Sequence, residues 1–143
     1  MNNYHDPHAE ICNVAFADLK KVNLITMMGA SDAIIETSGE APTSYQPQSA
    51  NFTERQNNCG EYVEQEFEAV FTDSNDDAIS KWRNITQSDT LVLISFTNGV
   101  TLVAGTTLAP VRCAVEQGAT PRTTKISFKR LSPEFAKVLK SFE

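Results

Sequence analysis

Glu64, Glu66 and Glu68 set three carboxylates at alternate positions of one segment. Neighbouring carboxylates raise one another's pKa, which is how an acid/base pair is made. Such a pair also needs a cleft and partners from other elements, and no such partners are evident in the sequence, so the favoured reading is an exposed acidic strand face. His5, Asp6 and His8 form an HDxH group whose imidazole and carboxylate donors suit several transition metals. The chain holds two histidines in all, so no third imidazole completes a ligand set, and a catalytic triad would have to draw its base from this same segment.

The run Asp73, Ser74, Asn75, Asp76, Asp77 looks like the start of a calcium loop. Ala78 stands where the sharp turn requires Gly, and Asn84 stands where a bidentate Glu should close the site. Helix capping is the better use of these residues. Neither Gly29 to Ser31 nor Gly99 to Gly105 forms a GxGxxG or GxxxxGK[ST] loop ahead of a helix, which argues against nucleotide binding. The three cysteines, Cys12, Cys59 and Cys113, are widely spaced and odd in number. They suggest reduced thiols rather than a disulfide framework or zinc site. The residues thus predict no catalytic, cofactor-binding or metal site.

The elements that must position these residues follow from periodicity. The sequence of 143 residues is 41% hydrophobic and 21% charged, the composition of one globular domain spanning 1–143. Its formal net charge of -6 disfavours sequence-specific binding to nucleic acid. No apolar run approaches the roughly 18 to 20 residues that cross a bilayer, so no membrane partner is expected. Residues 1–10 are polar, without the basic and apolar regions of a signal peptide, and read as a flexible arm.

Short apolar runs at Ile11 to Phe16, Val22 to Met28 and Ala33 to Thr37 predict three strands able to form a meander. Residues 38–60, rich in Ser, Thr, Gln, Asn and Pro, predict a long loop or extended arm, and insertions of this length usually have a role. From Glu61 to Phe71, Val63, Gln65, Phe67, Ala69 and Phe71 share one face of a strand and the three glutamates the other. A helix is predicted over Asp76 to Ile85, with Ile79, Trp82 and Ile85 at helical spacing.

Leu91 to Phe96 and Val100 to Ala104 predict a hairpin through a type I′ turn at Asn98 and Gly99. Val111 to Val115 and Lys125 to Phe128 predict two more strands, and Pro133 opens a predicted amphipathic C-terminal helix carrying Phe135, Val138 and Leu139. The expected fold is mainly β with short helices: a β-sandwich or barrel-like sheet with one helix between strands and a helix at the end.

The order of features from Glu61 to Phe128 resembles that of small virion structural proteins of tailed bacteriophages and prophages. The residues carrying the likeness are Gly60 and Tyr62, then Leu91, Val92, Asn98, Gly99 and Gly105, then Pro110 and Arg112, then Lys125, Ile126 and Phe128. They cover about half the chain. The chain departs from that pattern before its closing strand, where Thr120, Pro121 and Arg122 replace a D-x-x-G turn.

The resemblance implies a tail-tube or neck component, assembled in the bacterial host cytoplasm and resident in the virion. Its partners would be copies of itself and neighbouring virion proteins, with DNA at most a transient, non-specific occupant of a channel. It would make Glu64, Glu66 and Glu68 a candidate lumen face. Tyr45, Gln46, Phe52 and Arg55 become a candidate assembly arm, and Arg122, Lys125, Lys129 and Arg130 a candidate basic contact surface. The alternative is a small intracellular protein-binding β-domain.

Overall fold

A computed structural model of the chain describes residues 10–26, 31–37, 42–72, 76–106, 109–119 and 122–142. The protein is mainly β. In chain order the elements are β1 (Ile11–Asp18), β2 (Val22–Ile25), β3 (Asp32–Thr37), β4 (Ser44–Tyr45), β5 (Ser49–Arg55), β6 (Val63–Thr72) and α1 (Asp76–Ile85). They continue with β7 (Thr90–Phe96), β8 (Thr101–Ala104), β9 (Ala114–Ala119), β10 (Arg122–Ser132) and β11 (Lys137–Phe142). The strands form a seven-stranded sheet ordered β2-β3-β11-β8-β7-β1-β4 and a four-stranded sheet ordered β5-β6-β10-β9.

Strand alternation decides what each sheet buries. In β6 the odd positions from Val63 to Phe71 are buried and Glu64, Glu66 and Glu68 are exposed. The buried face meets Val14 of β1, Val92 and Ile94 of β7 and Ala104 of β8, so one core lies between the two sheets. Ile126 and Phe128 of β10 complete it, and Trp82 of α1 closes one end by stacking on Phe71 with ring centroids 4.4 Å apart. The seven-stranded sheet also curls into a half-barrel. Inside the curl, Ala15, Ala17, Leu24, Ala33, Ile35, Leu91, Leu93 and Val103 form a second core from that sheet alone.

Several expectations give way. The predicted C-terminal helix is strand β11, pairing in parallel with β3 and antiparallel with β8. The spacing of Phe135, Val138 and Leu139 fits a helix, but without β11 the facing ladders of β3 and β8 would be left open, and that tertiary demand outweighs local periodicity. Only one helix, α1, is present among the described residues, with the bounds the sequence predicts.

Residues 38–60, expected as a loop or arm, carry β4 and β5. β5 pairs with β6 along its whole length, from Ser49 opposite Val70 to Arg55 opposite Glu64. The first three strands form no meander, since β1 pairs with β7 and β4 while β2 pairs with β3. The strand expected at Val111 to Val115 begins at Ala114, and Val111 makes an isolated bridge to Thr90. The arm at 1–9, with His5, Asp6 and His8, lies outside the described residues, as do Asp73, Ser74 and Asn75.

The β7–β8 hairpin is present, but its turn is not type I′. That turn needs a positive φ at Asn98, whereas among the described residues only glycines have one. The Gly99 amide donates to the Phe96 carbonyl (3.1 Å) and the Phe96 amide to the Val100 carbonyl (2.8 Å), with Gly99 at φ 90. This is a type I turn completed by a left-handed glycine. Gly105, at φ 100, bends the chain where a Cβ would lie 3.0 Å from Val111 Cγ2.

Candidate functional site

The outer face of the four-stranded sheet gathers most of the charged residues singled out by the sequence. Cross-strand register sets Lys129 directly opposite Glu66 and Arg55 opposite Glu64, with Lys125 opposite Val70, two residues along from Glu68 on the same face. Lys129 Nζ lies 3.2 Å from Glu66 Oε1 and Lys125 Nζ 3.5 Å from Glu68 Oε1. Arg55 turns instead to Asn57, its Nε donating to Oδ1 at 3.0 Å. The candidate lumen face and the candidate basic surface are thus one surface, a mosaic of opposite charges with little net sign. The exposed pairs add about 0–1 kcal/mol each and orient side chains more than they stabilise the fold. A shallow hollow of about 540 Å³ lies on this face, bordered by Asn51, Glu66, Glu68, Arg112, Lys125 and Lys129.

Arg130 parts company with Lys125 and Lys129. It occupies an inward position of β10, opposite buried Gln65, and is half-buried. Its Nη2 donates to the Ala109 carbonyl at 2.9 Å, Nη1 is buried without a hydrogen-bond partner, and burial lowers its pKa. Arg122 is the first residue of β10, opposite Ala119.

The candidate arm divides in the same way. Phe52 is half-buried, with its ring 6.5 Å from that of Phe67 and 6.4 Å from that of Phe128. Tyr45 is half-buried against Trp82 and Phe71, at 4.9 and 6.3 Å. Both belong to the core, which leaves Gln46 and Arg55 as the exposed members.

Two further groupings have little signature in the sequence. Near the start of β6, buried Gln65 donates from Nε2 to Glu54 Oε2 (2.8 Å), which also accepts the Ala136 amide (2.7 Å). Gln65 Oε1 has no hydrogen-bond partner. Lys137, 2% exposed, places Nζ 3.2 Å from Glu134 Oε2. Gln65 is legible as a polar residue on an apolar face; Lys137 is not, because its segment reads as a helix.

At the other end, α1, β1 and β4 enclose a groove of about 790 Å³, lined among others by Phe16, Asp18, Lys21, Tyr45, Lys81 and Asn84. Lys81 Nζ sits 4.4 Å from the ring centroids of both Tyr45 and Trp82, a cation–π arrangement. Only the adjacency of Lys81 and Trp82 is visible in the sequence. Tyr45 arrives through the pairing of β4 with β1.

Cys113 is buried, and desolvation pushes its thiol up to about 12, against a smaller opposing effect of a hydrogen bond with Thr90. A thiol held neutral in this way is a poor nucleophile. No group of three or more His, Cys, Asp or Glu is placed to hold a metal ion among the described residues, and none of their helices is long and apolar enough to cross a membrane. No family model matches the chain, and neither a curated protein nor a solved structure matches it.

Proposed function

We propose that this protein is a structural subunit of a tailed-phage virion, a tail or neck (head-to-tail connector) component that assembles with copies of itself into a ring around the DNA channel. The motif order from Gly60 to Phe128 is the basis of the virion reading. One structural observation supports the self-assembly it requires: the four-stranded sheet ends on both sides in an edge strand. Among the described residues β5 pairs only with β6 and β9 only with β10.

An edge strand of seven residues without proline offers its free backbone groups to another chain. In a ring, β5 of one subunit meets β9 of the next and the ladder continues. The outer face carrying Glu64, Glu66 and Glu68 then turns toward the channel, where its alternating charge gives DNA no continuous basic track to bind. The same open edge also fits the second reading, a protein-binding β-domain, because an extended peptide can add to β5 as a fifth strand.

Light scattering of the purified chain over a concentration series separates the two. Rings or tubes are the expected result. A monomer at every concentration would overturn self-assembly and leave the binding module.

A further inference from the structure

The two open edges of the four-stranded sheet carry opposite charges. The outward positions of β5 hold Ser49, Asn51, Thr53 and Arg55, and those of β9 hold Ala114, Glu116 and Gly118. Each edge thus has one outward charge, a cation on β5 and an anion on β9. Their inner neighbours have the other sign, Glu64 beside Arg55 and Lys125 beside Glu116. Lys125 reaches Glu68 instead, and Glu116 makes no ion pair among the described residues. The Arg55 Nε donates to Asn57, a neutral partner that leaves the guanidinium charge in place.

β5 and β9 run in opposite directions, because each pairing that links them through β6 and β10 is antiparallel. Rotation about a channel axis preserves strand direction, so β9 of one copy meets β5 of the next as an antiparallel pair. Within the subunit one cross-strand row joins Arg55, Glu64 and Leu131, and another joins Glu116, Lys125, Val70 and Ser49. Setting Arg55 opposite Glu116 fuses these rows, which cross β6 at Glu64 and Val70, six residues apart. Over four strands, each about 4.8 Å from the next, a stagger of six residues at about 3.3 Å each tilts the strands by about 45° from the ring axis. That is the upper end of the roughly 35–45° found in closed sheets.

Sliding the pair so that Arg55 faces Ala114 gives about 35°, also within that range. The side chains choose between the two registers. In the first, inward Gln117 falls opposite inward Glu54. Gln117 Oε1 accepts from Arg83 Nε at 2.9 Å, whereas its Nε2 is buried without a hydrogen-bond partner, and a carboxylate opposite supplies an acceptor. In the second, Gln117 faces Phe52 and Arg55 faces an alanine.

We infer that β5 of one copy pairs with β9 of the next in the register that sets Arg55 opposite Glu116 and Glu54 opposite Gln117. This deepens the self-assembly reading and rests on it. Charge then alternates without a break across the joint, through Glu64, Arg55, Glu116 and Lys125. A second copy is the occupant because the two matching edges belong to one chain. The contact is head to tail: a twofold of β5 on β5 would offer Arg55 no anion on the facing outward positions, and β9 on β9 would offer Glu116 no cation.

The test uses the full chain in sedimentation velocity over a concentration series at low salt. Arg55→Glu and Glu116→Arg, both at exposed positions, should each raise the midpoint of assembly about tenfold, since like charges then oppose one another. An equal mixture of the two variants pairs each altered edge with its complement and should assemble as wild type does, as should the chain carrying both changes. In a Cys59→Ser background, oxidation should cross-link copies carrying Arg55→Cys with Glu116→Cys, but not those carrying Arg55→Cys with Ala114→Cys.

Assembly that neither reversal weakens, a mixture that does not recover, or cross-linking of the second cysteine pair in place of the first would overturn the register and leave ring formation standing. Wild type that stays monomeric overturns both readings. If a reversal does not fold, the cross-links decide.

Discussion

β7 is buried on both faces, and the two cores it separates are built from different residues. On the sandwich side Val92 and Ile94 share a core with Phe67, Phe71, Trp82 and Phe128. On the curled side Leu91 and Leu93 meet Ala15, Ala17, Leu24, Ala33, Ile35 and Val103, with no aromatic ring among the buried members whose side chains are described. The distance each core must fill explains the difference. Packed sheets stand about 10 Å apart, which calls for large side chains, while a sheet that curls on itself brings strands closer and calls for alanines. The sandwich core is therefore sensitive to lost volume and the curled core to added volume.

Trp82→Ala is the strongest test of the first half of that contrast. It removes ring contacts to Phe16 (6.1 Å), Tyr45 (4.9 Å) and Phe71 (4.4 Å), together with the aromatic face under Lys81. Urea denaturation should show a loss of about 3–5 kcal/mol. A loss under about 1 kcal/mol would mean that α1 is not part of the sandwich core.

Ala17→Leu tests the second half. Ala17 is 1% exposed inside the curl, and three extra carbons there must push strands apart, at about 1–3 kcal/mol in the same assay. If the larger side chain were neutral or stabilising, the curled core would be loosely packed and the comparison would fail.

Legibility in the sequence divides along the same line. The two-faced strand β6 could be read directly because one face is wet, and α1 could be read from its flanking polar residues and the spacing of Trp82 and Ile85. β5 could not: Phe52 is its only large apolar residue, and its partner β6 supplies most of the buried face. β11 reads as a helix because Phe135, Val138 and Leu139 satisfy the helical period, and only the place waiting between β3 and β8 makes it a strand. The charges were legible one at a time, but not their register. Nothing local says that Lys129 falls opposite Glu66, and the inward position of Arg130 follows from alternation along β10 once Ile126 and Phe128 are known to point inward.

Within the sandwich core, Cys113 gives a pH signature that the curled core lacks. Its thiol pKa rises from 9.0 to about 12 on burial. A proton retained by the folded state is released by the unfolded chain above pH 9, so this contribution is full below that value and lost as pH climbs toward 12. Compared with wild type, Cys113→Val should flatten the alkaline fall in stability by on the order of 1 kcal/mol at pH 10. Identical alkaline limbs would show that the thiol is not buried in the folded state.

The smallest expected effect belongs to the surface the sequence made most conspicuous. Glu66 and Lys129 pair at 3.2 Å with side chains 57% and 81% exposed, so water screens them from one another. A double-mutant cycle with Glu66→Gln and Lys129→Gln should give a coupling below about 1 kcal/mol that shrinks further as salt is added. A coupling of several kcal/mol would require a desolvated pair, which two side chains this exposed do not form in the isolated chain. A small coupling in the monomer that grows when the protein associates would instead locate the burial at an assembly contact, since the same two charges interact more strongly once water is excluded. The cycle run at low and at high protein concentration therefore reports whether the charge mosaic is a solvated face or one side of an interface.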